Sequence, residues 1–156
     1  LSIDTTAIRS GHSPAPGVAA RRAAGGAPVR SLSVLGATGS IGTSTLDLIG
    51  RSPDAFDVVA LTAQTNAQAL AELALRHRAK IAVIGDETRY RELADLLAGS
   101  DTVAAAGANA IVAAASEPAD CVMAAIVGAA GLRPTFAAAA QGRRVALANK
   151  ECLVSA

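Results

Sequence analysis

Short unbroken apolar runs alternate with longer stretches whose apolar positions recur at helical spacing, and the alternation begins at Ser31. SLSVL (31–35) reads as a strand ended by glycines. Residues 40–50 read as a helix with Ile41, Leu46, Leu48 and Ile49 on its apolar face, stopped by Ser52, Pro53 and Asp54. FDVVAL (56–61) predicts a second strand and residues 67–78 a helix with basic residues near its end, where they complement the macrodipole. KIAVIG (80–85) predicts a third strand. Residues 87–98 follow as a helix with Leu93, Leu96 and Leu97 inward and Gly99 in the C-cap place. DTVAA (101–105), DCVMAAIV (120–127) and RRVALA (143–148) complete six strands. Helices are expected at 108–116 and at 132–140, the latter tolerating Pro134 in its first turn.

Strands that read as continuous apolar runs and alternate with helices imply a parallel sheet covered on both faces, an α/β, Rossmann-like architecture. The first thirty residues depart from this pattern. They are dominated by Pro, Gly, Ala and Ser without a sustained period, so residues 1–30 are expected to form a disordered tail, with His12 solvated, and 31–156 the folded unit.

Composition narrows the function. Only 2% of residues are aromatic, which argues against a stacking platform for single-stranded nucleic acid. The net charge of +1 is unevenly placed: four arginines and one aspartate fall within 1–30, leaving ten basic against twelve acidic residues beyond. The mildly acidic body offers no nucleic-acid footprint. No apolar stretch has the length and purity of a membrane span. Cys121 and Cys152 stand in no metal-ligand spacing and read as reduced thiols, pointing to a cytoplasmic setting, or a plastid if the Arg-rich, acid-poor tail is a targeting segment.

In an open parallel sheet, ligands bind beyond the carboxyl ends of the strands where strand order reverses. Four stretches fall at such ends. In LGATGSIG (35–42), Gly36 is placed to make the tight turn, Gly39 to let the backbone approach a pyrophosphate and Gly42 to let helix and strand pack. Thr38, Ser40 and the first helical N–H groups are its phosphate donors. The spacing is GxxGxxG, one residue longer than the dinucleotide fingerprint. At the end of strand two, Thr62, Ala63, Gln64, Thr65 and Asn66 include no carboxylate for a ribose hydroxyl, which favours a 2′-phosphate; no basic residue is there to pair it, and Asn66 also suits a helix cap. AAIVGAAGL (124–132) carries Gly128 and Gly131 for close backbone approach. ALANKECLV (146–154) sets Asn149, Lys150 and Glu151 at the end of strand six; Lys150 is the only one of two lysines in such a place.

Taken together and in this order, LGATGSIGTSTLDLI, FDVVALTAQTN, VMAAIVGAAGLRPT and ALANKECLV resemble the 1-deoxy-D-xylulose 5-phosphate reductoisomerases. The resemblance covers 31–156 and implies an NADPH-dependent enzyme of non-mevalonate isoprenoid biosynthesis. Such an enzyme isomerises and reduces deoxyxylulose phosphate to 2-C-methyl-D-erythritol 4-phosphate with a divalent Mg or Mn ion. It further implies that Thr38, Gly39, Ser40 and Ile41 contact NADPH phosphates and ribose, that Gln64, Thr65 and Asn66 surround its 2′-phosphate end, that Asn149 and Glu151 meet the nicotinamide half and that Lys150 reaches the phosphorylated sugar. Many family members have glycine and a basic residue in place of Gln64 and Thr65. Family members also continue beyond NKE into a catalytic domain that carries the acidic metal ligands. The reading therefore expects an NADPH-binding domain truncated before that part, without catalytic or metal-binding residues of its own, inactive alone, self-associating or marginally stable through apolar surface exposed near Leu153 and Val154, and homodimeric as the parent enzyme. A stand-alone nucleotide-binding or regulatory module remains open. So does another NADP-dependent dehydrogenase, such as a semialdehyde dehydrogenase, although Cys152 has no histidine base in view and His77 reads as solvated.

Overall fold

A computed structural model describes Gly26 and residues 28–148; the predicted tail up to residue 25, with His12, and the stretch holding Asn149, Lys150, Glu151, Cys152, Leu153 and Val154 lie outside the described residues. Six strands, β1 (Arg30–Leu35), β2 (Phe56–Ala63), β3 (Ile81–Ile84), β4 (Val103–Ala106), β5 (Cys121–Ala124) and β6 (Arg144–Leu147), form one sheet in the order β4-β3-β2-β1-β5-β6. All five pairings are parallel. The helices are α1 (Ser40–Gly50), α2 (Ala67–Arg76), α3 (Tyr90–Leu96), α4 (Ala108–Ser116) and α5 (Leu132–Ala140). Strand order reverses at β1, which has β2 on one side and β5 on the other.

The two faces separate cleanly. Leu46 and Ile49 of α1, Leu70, Ala71 and Ala74 of α2, and Leu93 of α3 pack on Leu32 and Val34 of β1, Val58 and Leu61 of β2, and Ile84 of β3. On the other face, Ile111, Ala114 and Ala115 of α4 and Ala138 of α5 cover Leu35, Val59, Ala60, Val83 and Val122. This is the Rossmann-like sheet with helices on both faces that the strand–helix alternation predicts.

Element boundaries and faces depart from expectation in ways with physical causes. β2 runs two residues further, through Thr62 and Ala63, because both keep pairing with Val83 and Ile84 of β3. α2 ends at Arg76, and Arg78 turns the chain with a φ of 51°. The expected 87–98 helix begins with a 3₁₀ turn, Glu87–Arg89, capped by Asp86, whose carboxylate accepts from the Thr88 N–H at 3.0 Å and hydroxyl at 2.7 Å. Those bonds hold the Asp86 carboxyl below its ordinary pKa. Leu96 is 42% exposed while Leu93 and Leu97 are buried, so the inward face of α3 is narrower than expected. In α1, Ile41 and Leu48 likewise point outward, because the helix rests on Gly42, Leu46 and Ile49. β5 stops at Ala124, three residues early, as the chain leaves the sheet at the reversal point.

His77 is not solvated as expected. It is half-buried against the end of α1, with a ring carbon 3.4 Å from where a Cβ on Gly50 would lie. Its Nε2 is buried without a partner among the described residues, and burial, then the charge of Arg76, push its pKa down. Gly99 does follow the helix with a φ of 80°, as a C-cap glycine does.

At the amino edge, Asp120 ties β5 to β1: its carboxylate accepts from the Ser31 N–H at 2.7 Å and hydroxyl at 2.9 Å, and its own N–H donates to that hydroxyl at 2.9 Å. The hydrogen bonds from Ser31 hold the Asp120 carboxyl below its ordinary value. A carboxylate with a lowered folded pKa adds stability above its unfolded pKa, and that stability is lost as pH falls through the folded value. Asp120→Asn should therefore weaken the acid limb of the stability–pH profile below about pH 4 and leave its neutral-to-alkaline shape unchanged, as read by urea unfolding across pH. Gly42 makes the second prediction. A Cβ there would run into the Gly36 carbonyl oxygen and lie 2.7 Å from the Ala37 Cα, both backbone atoms that cannot swing aside. Gly42→Ala should cost about 2–3 kcal/mol in the same assay although alanine is the better helix former.

Candidate functional site at the sheet reversal

β1 ends at Leu35 and the chain turns at Gly36, with a φ of 83°. A side chain could not follow that turn: a Cβ on Gly36 would lie 2.8 Å from the Ala125 carbonyl oxygen and 2.9 Å from its carbon. The loops leaving β1 and β5 thus touch through backbone, and Ala125 N–H donates to the Leu35 carbonyl at 2.9 Å. This contact sits where strand order reverses, the point at which α/β sheets open a crevice.

From Gly36 the chain passes Ala37, fully buried, and half-buried Thr38 to Gly39, Ser40 and Ile41, which are exposed. Gly39 is the N-cap residue of α1 in ordinary extended conformation, and no side chain among the described residues caps this helix. Nothing inside the fold requires glycine at position 39, since a Cβ would meet only the Gly36 carbonyl oxygen at 3.4 Å. The hydroxyls of Thr38 and Ser40 bond to no other described residue. Those of Thr43, Ser44 and Thr45 are spent on carbonyls of the preceding turn, at 3.0, 2.8 and 2.8 Å. The start of α1 therefore presents uncapped N–H groups, two hydroxyls and the positive end of the helix dipole to the edge of the crevice, an arrangement that suits an anion.

α2 starts differently. Asn66 Oδ1 accepts from the Ala69 N–H at 3.0 Å, so this helix caps itself, as its sequence allows. Gln64 and Thr65 are exposed beside Asn66. The Gln64 side chain lies across Gly85 at the end of β3, and that of Glu87 lies across Gly107 at the end of β4, where φ is 95°. The carboxyl ends of β2, β3 and β4 thus carry an amide and a carboxylate in succession, each seated on a glycine. Gly128 has a φ of 73° and open space where a Cβ would stand, while Gly131 is buried at the start of α5. Ala148 N–H donates to the Ala124 carbonyl at 3.0 Å, which brings the end of β6 beside that of β5.

Thr38 to Ile41 and Gln64 to Asn66 accordingly share one edge of the sheet, and one residue that sequence reasoning left unassigned joins them. Thr62, 1% exposed, accepts the Gly36 N–H on its hydroxyl at 3.0 Å and the Ala37 N–H on its carbonyl at 2.7 Å. Its signal was a hydroxyl inside the apolar run VVALTA. Ala125 gave no such signal, being a backbone contact, and neither did the Gly85 and Gly107 seats, each of which sets a side chain on a glycine of another loop. His77, the one histidine among the described residues, precedes β3 and so stands at the opposite edge, out of reach of a nucleophile at the crevice. Among the described residues no three His, Cys, Asp or Glu are grouped to hold a metal ion, and no helix is long and apolar enough to cross a membrane.

The family model described as 1-deoxy-D-xylulose 5-phosphate reductoisomerase matches residues 32–156. The chain belongs to that family. A relative from Rhodospirillum centenum, a 1-deoxy-D-xylulose 5-phosphate reductoisomerase, is 55% identical over 139 residues, covering 89% of this chain and 35% of its own length. The solved structure of the Zymomonas mobilis reductoisomerase in complex with NADPH superposes with a TM-score of 0.81 at 58% identity, over 82% of this chain and 34% of that one. A reductoisomerase solved with NADPH, fosmidomycin and magnesium gives 0.76 at 43% identity, over 81% of this chain and 31% of that one. The chain thus spans about a third of the length of the reductoisomerases it matches.

Two positive-φ glycines with different surroundings separate strain from contact. Gly128→Ala meets only the positive φ and should cost about 1–2 kcal/mol. Gly36→Ala meets the positive φ and the Ala125 carbonyl, and should cost roughly 1–3 kcal/mol more by equilibrium unfolding.

Proposed function

We propose that residues 31–156 form the NADPH-binding domain of a reductoisomerase that isomerises and reduces deoxyxylulose phosphate to 2-C-methyl-D-erythritol 4-phosphate. The observation that carries this reading is the uncapped start of α1, reached through an exposed glycine with no internal reason to be one, at the reversal of the sheet. Bound there, NADPH would supply the hydride for the reduction. Thr38, Gly39, Ser40 and Ile41 would receive its pyrophosphate on backbone N–H groups and hydroxyls, with no desolvation of a side-chain charge.

Gln64, Thr65 and Asn66 would surround the 2′-phosphate. Their amides and hydroxyl can donate to a phosphate, and the absence of a carboxylate among them removes the repulsion that selects for an unphosphorylated ribose. Asn66 keeps its Oδ1 on the cap of α2, which turns its amide N–H groups outward as donors. The phosphate is then held by neutral hydrogen bonds. On the strength of the resemblance alone, Asn149 and Glu151 are assigned to the nicotinamide half and Lys150 to the phosphorylated sugar. A homodimer and a Mg or Mn ion belong to the same proposal for the parent enzyme. The described residues gather no ligand set for that ion. A cytoplasmic setting is proposed on the thiol usage of the chain.

Titration with NADPH and NADH, followed by nucleotide fluorescence and calorimetry, tests the reading. NADPH should bind at least about tenfold more tightly, the difference of roughly one to two charge-assisted hydrogen bonds. Equal affinities would remove the neutral 2′-phosphate site, and no binding of either would remove the nucleotide reading itself.

A further inference from the structure

We propose that Thr62 is a positioning residue for the pyrophosphate loop, setting how tightly residues 38–41 take the cofactor; the inference rests on the NADPH reading above. Among the described residues the loop has two hydrogen-bonded tethers to β2, and both end on this residue: its hydroxyl takes the Gly36 N–H and its carbonyl the Ala37 N–H. The first two donors of the loop are thereby turned back into the sheet. Of the next ones, the Gly39 N–H bonds back to the Gly36 carbonyl at 3.2 Å, and those of Thr38, Ser40 and Ile41 have no partner among the described residues.

An irregularity in β2 puts the hydroxyl where it is needed. Leu32 pairs with Val58 but Val34 with Leu61, so β2 carries one extra residue opposite β1. Val59 and Ala60 consequently both pack toward α4, and alternation resumes with Leu61 and Ala63 on the α1–α3 face. Thr62 lies between these two and so faces the α4 side, next to the Leu35–Gly36 junction. Without the extra residue the parity would be reversed, and its hydroxyl would face α1 instead. The bulge and the hydroxyl thus act as one device. Gly36, lacking a Cβ, has many backbone conformations open to it, and the Thr62 bond selects the one at φ 83°.

Thr62→Val keeps the β-branched shape in a 1% exposed site and removes only the acceptor. It should raise the NADPH dissociation constant about five- to tenfold, the worth of roughly one hydrogen bond. It should leave the affinity for 2′-AMP, which has no pyrophosphate, unchanged. Thr62→Ser, which retains the hydroxyl, should restore NADPH binding. Amide exchange gives a readout without nucleotide: the Gly36 N–H should be protected in the unaltered chain and exposed in the valine variant, while the Ala37 N–H, bonded to a backbone carbonyl, stays protected in both. Unaltered NADPH affinity in Thr62→Val, with the unaltered chain binding normally, would overturn this inference alone. So would an equal loss for NADPH and 2′-AMP, which marks a general lesion, or an unprotected Gly36 amide in the unaltered chain, which needs no folded variant. Failure of the unaltered chain to bind either nucleotide would instead overturn the NADPH reading, and this inference with it.

Discussion

The approach of the Gly36 backbone to the Ala125 carbonyl is the constraint on which the carboxyl edge depends. Two parallel strands that run side by side must send their chains to opposite faces, since α1 covers one face and the helices after β5 the other. The divergence leaves an opening only if the first residues of both loops stay low on the sheet. Glycine at 36 permits this on one side, and the early end of β5 at Ala124 permits it on the other. Gly42 then lets α1 descend onto the same turn, so that the first helical N–H groups arrive at the rim of the opening rather than behind it.

Small side chains extend that logic through the body. Alanines form much of the buried set on both faces, among them Ala60, Ala71, Ala74, Ala82, Ala114, Ala115 and Ala138, each at most 3% exposed. A few leucines, Leu35, Leu46, Leu61, Leu70 and Leu93, supply the bulk. Layers this thin bring helix backbone close to sheet backbone and leave few rotatable atoms between them. An added methyl therefore meets main chain, which cannot reorient, and the local fold has little capacity to repack around it.

The fold was legible because each buried parallel strand must be apolar throughout and each helix on one stripe only, so strand number, order of elements and fold class follow from periodicity. α1, α4 and α5 begin and end where glycine, serine and proline punctuate the chain. Faces were less legible. Ile41 and Leu48 looked inward from spacing, yet Gly42 takes the inward place because a glycine brings α1 nearer the sheet than a large residue could. Of the site, the glycine turn and the acid-free end of β2 were visible as residue types. Thr62 showed only as a hydroxyl in an apolar run and its role did not, because that role arises from an extra residue in β2 that reverses side-chain parity, and parity relative to a neighbouring strand is a property of pairing rather than of either segment. The seats of Gln64 on Gly85 and Glu87 on Gly107 were hidden for the same reason, as each joins residues from different loops.

The Ser31–Asp120 link, read so far as a local tie, also measures how far the chain must travel to close its own centre: the two residues are 89 positions apart. β1, β2 and β3 each pair with the next strand in sequence, across gaps that one helix spans. β5 alone must return past all of them to reach β1. Loop closure of that length carries the largest entropy cost of any pairing in the sheet, and contacts of this kind slow folding most. The crevice lies along this seam. During synthesis it has no second wall until β5 has left the ribosome, so the half of the sheet made first exposes the unpaired edge of β1 for the time it takes to translate the intervening chain.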